Sequence, residues 1–87
     1  MATLFIPPQM RDLTGGAASL TANGNTLGEV LRALEGAHPG LSERIAPDGS
    51  LAGGLAVSID GAMTSRGLRA PVKPTSEIHI LPAIGGG

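Results

Sequence analysis

The chain has 87 residues, no cysteine, and six basic against seven acidic side chains for a net charge of −1. That length supports one domain with a modest core, and the missing thiols remove disulfides, thiolate metal sites and cysteine nucleophiles, which suits a cytoplasmic protein. No basic block, one aromatic residue (Phe5) and no apolar run long enough to cross a bilayer together argue against nucleic-acid binding and against a membrane span.

Fourteen glycines and seven prolines demand many turns, yet Leu, Ile and Val recur periodically, which is the pattern of a folded, loop-rich domain. Thr3-Leu4-Phe5-Ile6 reads as a short strand stopped by Pro7-Pro8. With Leu4 and Ile6 turned to the core, the period-two rule turns Phe5 outward. A loop closes at Thr14-Gly15-Gly16, residues 17–22 return as a second strand, and Asn23-Gly24 marks a turn.

Thr26-Leu27-Gly28-Glu29 fits a capping box, with the threonine hydroxyl and the glutamate carboxylate each accepting from a backbone N–H. A helix then carries Leu27, Val30, Leu31 and Leu34 on one stripe and stops at Gly36 and His38-Pro39-Gly40. Leu41 to Ile45 adds a short helical turn. Leu55-Ala56-Val57-Ser58-Ile59 alternates as a half-buried strand, Asp60-Gly61 supplies a hairpin turn, and a short return follows around Ala62-Met63-Thr64. Residues 69–74 read as loop, and 76–81 as the last strand with Ile78 and Ile80 inward. The order β-β-α-β-β-β, with one main helix for one face of a mixed sheet of four to five strands, predicts an α+β fold. The expected core joins the helix stripe to Leu4, Ile6, Leu20, Leu55, Val57, Ile59, Ile78 and Ile80.

Side-chain chemistry is scarce. His38 and His79 fall on different elements with no thiol near, so a metal site is not expected and each reads as a solvated polar residue. Gly15-Gly16 and Gly53-Gly54 lack the spacing and the Lys-Ser/Thr ending of a phosphate loop and read as turns. Nothing in the sequence brings Asp60 and Glu77 together as an acid–base pair. Arg66, Arg69 and Lys73 form a sparse basic stretch, read first as a solvated loop and second as a means of steering a partner. The end, Leu81-Pro82-Ala83-Ile84-Gly85-Gly86-Gly87, is the exception. Pro82 cannot donate to a ladder and is expected to release the chain from the sheet. The six residues after Leu81 reach about 20 Å when extended, and three glycines without Cβ atoms suit a narrow channel. The expected organisation is a domain over residues 1–82 and a flexible glycine tail over 83–87.

The strand followed by Leu81-Pro82-Ala83, a short apolar step and Gly86-Gly87 resembles the ending of the ubiquitin-like β-grasp sulfur carriers of the ThiS/MoaD family. Ile6-Pro7, Arg11, Thr14-Gly15-Gly16, Gly24 with Thr26-Leu27, and residues 42–45 bring the likeness nearest to the branch that supplies sulfur for cysteine synthesis. The sequence departs from many relatives at Asp60-Gly61-Ala62 and at Pro74-Thr75-Ser76-Glu77. The resemblance implies a ubiquitin-like β-grasp fold and a protein cosubstrate rather than an enzyme. It implies that a ubiquitin-activating-type enzyme uses ATP to adenylate Gly87 and that a sulfur donor converts the adenylate to a thiocarboxylate. The acceptor would be a cysteine-synthase-like enzyme or a molybdopterin or thiazole synthase. No cofactor is implied on the carrier itself. Gly86 and Gly87 are then the reacting site, and Phe5, Leu81, Pro82, Ile84 and Gly85 the contact residues for partners. Two alternatives share these features, a ubiquitin-like modifier conjugated through Gly86-Gly87 and an interaction module whose tail does no chemistry.

Overall fold

Strand β1 (Ala2–Phe5) buries Ala2 and Leu4 on one face and leaves Thr3 and Phe5 half-buried on the other, the alternation that a one-sided core dictates. The computed structural model describes residues 1–82; Ala83, Ile84, Gly85, Gly86 and Gly87 lie outside the described residues. Strand β2 (Ser19–Ala22) pairs antiparallel with β1, placing Leu4 opposite Leu20. Between them, where a plain loop was expected, Pro8–Thr14 winds as a 3-10 helix. Proline at its first position has no N–H to waste and a preset φ. The helix tucks Met10 and Thr14 into the interior, and the buried Thr14 hydroxyl lies within reach of the carbonyls of Arg11 (3.2 Å) and Ala17 (2.9 Å).

Helix α1 (Leu27–Glu35) begins where the capping signal put it. The Glu29 N–H donates to Thr26 Oγ1 at 3.2 Å, while Glu29 Oε1 accepts from the N–H of Asn25 at 3.0 Å. The reciprocal bond therefore reaches one residue further back than a capping box has it. Leu27, Val30, Leu31 and Leu34 are all buried. At the other end the Glu35 carboxylate accepts from the N–H groups of Gly40 (2.9 Å) and Ser42 (3.1 Å), which ties α1 to the short helix α2 (Leu41–Ile45).

Strand β3 (Leu55–Ile59) turns at Asp60-Gly61 into β4 (Ala62–Thr64). Both turn residues have positive φ, 53° and 85°, as a two-residue hairpin of the primed type requires. Strand β5 (Glu77–Pro82) runs up the middle of a five-stranded sheet of order β2-β1-β5-β3-β4. It is parallel to β1 and antiparallel to β3, so the sheet is mixed, and α1 lies on its apolar face: an α+β, ubiquitin-like β-grasp arrangement. A second 3-10 turn, Gly67–Arg69, fills part of the expected loop.

The core contains the helix stripe with Leu4, Ile6, Val57, Ile78 and Ile80, as expected. Leu20, Leu55 and Ile59 are only partly buried against it; Leu20 belongs to an edge strand. Met10, Leu41, Ile45 and Val72 complete the interior instead. Pro82 needs a correction as well, because it does not leave the sheet but stands opposite Leu55 as the last residue of β5. The reason lies in the rungs of the ladder. The Asp60 N–H donates to Glu77 O at 2.9 Å, which makes that pair a bonded rung. Alternation then makes Leu55–Pro82 an unbonded one, where proline's missing N–H costs nothing toward β3.

Candidate functional site

The face of the sheet opposite α1 is where period two sends the alternate residues. The pairing aligns Phe5 with His79, His79 with Ser58, and Ser58 with Met63, one row across four strands. In that row the Phe5 and His79 rings stack with centroids 4.4 Å apart and planes 3° from parallel. Two residues along β5, Leu81 comes out on the same face beside Ala56. Met63 and Leu81 are among the few large apolar side chains left exposed, at 62% and 37%.

At the β1–β5 end of this face lies an open hollow of about 490 Å³, lined by Phe5, Pro7, Pro8, Arg11, His79, Leu81 and Pro82 among others. Pro7-Pro8 builds one wall because it ends β1 and starts the 3-10 helix in the same step. Arg11 is held at the rim by its own Nε, which donates to Ile6 O at 3.1 Å. A surface of this kind offers an aromatic stack, three prolines and a leucine next to one guanidinium, suited to receiving an apolar side chain from another protein.

Of the residues singled out in the sequence, Phe5, Leu81 and Pro82 are brought together here. Ile84, Gly85, Gly86 and Gly87 lie outside the described residues. Phe5 is corrected from exposed to half-buried, because His79 covers one side of its ring. His79 itself was read as a solvated polar residue and is instead part of the apolar surface. The signal that would have found it is the parallel pairing of β1 with β5, which joins residues far apart in the chain.

The basic stretch divides. Arg66 caps the 3-10 turn Gly67–Arg69 and Arg69 ends it, whereas Lys73 lies near Asp60. Asp60 and Glu77 do meet, through backbone rather than as two carboxylates. Asp60 Oδ1 accepts from the Glu77 N–H at 2.9 Å and Oδ2 from the Ser76 hydroxyl at 2.8 Å. The N–H of Glu77 first, then the Ser76 hydroxyl and the charge of Lys73, hold the Asp60 carboxyl below its ordinary value. Among the described residues no group of three His, Cys, Asp or Glu side chains is placed to hold a metal ion, and no helix is long and apolar enough to cross a membrane.

A mixed five-stranded sheet around one helix, with an apolar outer face next to a last strand that leads into glycines, defines a ubiquitin-like β-grasp protein. The chain belongs to the ThiS family, whose profile matches residues 5–87. It is similar to the sulfur carrier protein CysO of Mycobacterium tuberculosis, with 37% identity over 91 aligned positions that cover 98% of this chain and 97% of that one. Its fold superposes on a chain of the Amycolatopsis orientalis BexX/CysO complex with a TM-score of 0.89 and 34% identity, over the whole of both chains. Small archaeal modifier protein 1 of Methanosarcina acetivorans is similar too, with a TM-score of 0.74 and 26% identity over 99% of this chain and 95% of that one.

Proposed function

We propose that this protein is a sulfur carrier that works through the carboxylate of Gly87. The observation that carries the reading is the end-to-end likeness to the CysO sulfur carrier, within a family match that runs through Gly86 and Gly87. Carriers of this type are small protein substrates rather than enzymes, and the chemistry belongs to their partners. A carboxylate is a poor electrophile, so a ubiquitin-activating-type enzyme joins Gly87 to the α-phosphate of ATP and releases pyrophosphate. Sulfide delivered by a donor then adds to the acyl carbon, AMP leaves, and a thiocarboxylate remains. No electron changes hands in that exchange. The thiocarboxylate sulfur attacks an acceptor held by a second enzyme. The likeness to CysO favours a cysteine-synthase-like acceptor enzyme over a molybdopterin or thiazole synthase. Gly86 and Gly87 lack side chains that would collide with the walls of a narrow activating site, and Ile84 and Gly85 connect them to the docking face formed by Phe5, Leu81 and Pro82.

The likeness to small archaeal modifier protein 1 supports a second reading, in which the same adenylate passes to a lysine amine of another protein. Products separate the two. Protein recovered from its own cells should show a mass gain of about 16 Da, the exchange of one oxygen for sulfur. ATP–pyrophosphate exchange with the activating enzyme should proceed with the full chain and vanish when Gly87 is deleted. Isopeptide adducts in place of the thiocarboxylate would establish the modifier reading, and wild-type exchange by the Gly87 deletion would overturn both.

A further inference from the structure

Strand β2 is one of the two edges of the sheet, and the bonding of its neighbour fixes which of its groups point outward. The Ile6 N–H donates to Ala18 O at 2.8 Å, whereas the Thr3 N–H donates to the other side, to Ser76 O before β5, at 3.0 Å. Leu4 and Ala2, in phase with Ile6, therefore bond toward β2, and Thr3 and Phe5 toward β5. Since Leu4 stands opposite Leu20 and Ala2 opposite Ala22, the bonded rungs belong to Leu20 and Ala22. By alternation the backbone N–H and C=O groups of Ser19 and Thr21 point out of the edge. Both residues are exposed, and among the described residues no strand lies beyond them.

Sheet edges are commonly guarded by a very short strand, a charged side chain, a proline or a bulge, each of which discourages a further strand. At the other edge β4 has three residues, with Arg66 following two positions later. Strand β2 has none of these devices. Its four residues keep a regular register with β1, and they lie within residues 13–28, which contain no charged side chain and no proline. Leu20 shares the α1 face of the sheet with Leu4 opposite it, yet it is only partly buried against the core.

We infer that β2 pairs antiparallel with β2 of a second copy of this chain, about a twofold axis at Leu20. The edge is complementary to itself in that arrangement. Ser19 comes opposite Thr21 of the second copy and Thr21 opposite its Ser19, so each outward N–H and C=O of the strand finds a partner. Leu20 meets its own counterpart on the unbonded rung between them, where side chains approach most closely, and each covers apolar surface that the other leaves open. The paired rows hold hydroxyls on one face and leucines on the other, with no like charges to oppose them. Moving the seam toward the N-terminus would need Ala17, whose N–H already donates to Thr14 O at 3.2 Å and whose carbonyl accepts from Thr14 Oγ1 at 2.9 Å. A four-residue seam is small beside the interface of a permanent dimer, so the pair is reversible. Because β1 separates the seam from β5 and the axis reverses strand direction, Pro82 of the two copies stands at opposite ends of the joined sheet. The inference does not depend on the sulfur-carrier reading.

The test is sedimentation of the purified full chain at rising concentration, with hydrogen exchange of its amides followed in parallel. The wild type should pass reversibly from monomer to dimer. At low concentration the amides of Leu20 and Ala22 should be protected by β1 while those of Ser19 and Thr21 exchange freely, and the latter two should gain protection as the dimer forms. Ser19→Lys/Thr21→Lys sets like charges opposite each other across the seam and should raise the dissociation constant about tenfold. Ser19→Glu/Thr21→Lys sets opposite charges there and should bind at least as tightly as the wild type; both variants change exposed side chains only and should keep the circular dichroism of the fold. A monomer at every concentration, or a dimer that forms while Ser19 and Thr21 gain no protection, would overturn the pairing. Equal losses in the two variants would overturn the twofold register. Protection of Ser19 and Thr21 that appears only when another protein is added, the chain alone remaining monomeric, would give the edge to a partner's strand and overturn the self-pairing.

Discussion

Asp60 shows how one residue can hold together parts of the chain that the sequence keeps separate. Its backbone takes the left-handed turn at φ 53°, a conformation that Asp and Asn tolerate better than most side chains. Its carboxylate then reaches across to Ser76 and Glu77. Ser76 is itself 2% exposed and accepts from the Lys73 N–H at 2.9 Å, so the turn, the loop before β5 and the start of β5 share one anchor. The two segments in which the sequence departs from many of its relatives thus turn out to be a single contact. Because the folded-state pKa is lowered from 3.8, the stabilising charge is fully present well above that pH and is lost as pH falls through the lowered value. Asp60→Asn keeps the turn and one accepting oxygen but not the charge. Its Tm should lie below that of the wild type at neutral pH, and the two should converge as acid is added below pH 3.8. A gap that stays constant into acid would assign the loss to geometry rather than charge. Gly24 belongs to the same scale. A Cβ there would stand 2.7 Å from the Val30 nitrogen and 2.9 Å from Val30 Cγ2, so a position noticed only as a turn residue and a point of family likeness is required by the close approach of the chain to α1.

At the scale of elements, α1 was legible because capping, periodicity and stop signals agree on it. Leu31 lies at the centre of its stripe and is 1% exposed. Leu31→Ala should cost about 2–5 kcal/mol in chemical denaturation, and a loss below about 0.5 kcal/mol would mean that the helix buries a different face. Strands were legible by alternation, including the hairpin at Asp60-Gly61, but their partners were not. Parallel pairing of β1 with β5 joins Phe5 to His79 across most of the chain, and no local pattern carries that information. The 3-10 helix at Pro8–Thr14 was missed for a different reason: Pro7-Pro8 stops a strand as readily as it starts a helix, and Met10 and Leu13 alone are too few to show a period. Pro82 was misread because its effect depends on the rung it occupies, which is a property of the register rather than of the residue.

For the whole molecule, the decisive feature is that the apolar hollow and Pro82, the last described residue on the way to Gly87, share one end of the sheet face that α1 leaves uncovered. A partner engaging that end meets Phe5 in the lining of the hollow, so its apolar contact can be tested by substitution. Phe5→Asp puts a carboxylate into the stack on His79, where it is poorly matched to an apolar side chain from a partner. Leu4 and Ile6 still face the core, and the variant should keep its fold by circular dichroism. Central aromatic contacts of this kind commonly account for 2 kcal/mol or more of an interface, so KM for the carrier in adenylation should rise at least about thirtyfold, with kcat for the docked tail little changed. This loss should persist at high salt, since it removes buried apolar contact rather than screened charge. If KM for Phe5→Asp matches the wild type, partners do not use the outer face of the sheet, and the tail must supply recognition by itself.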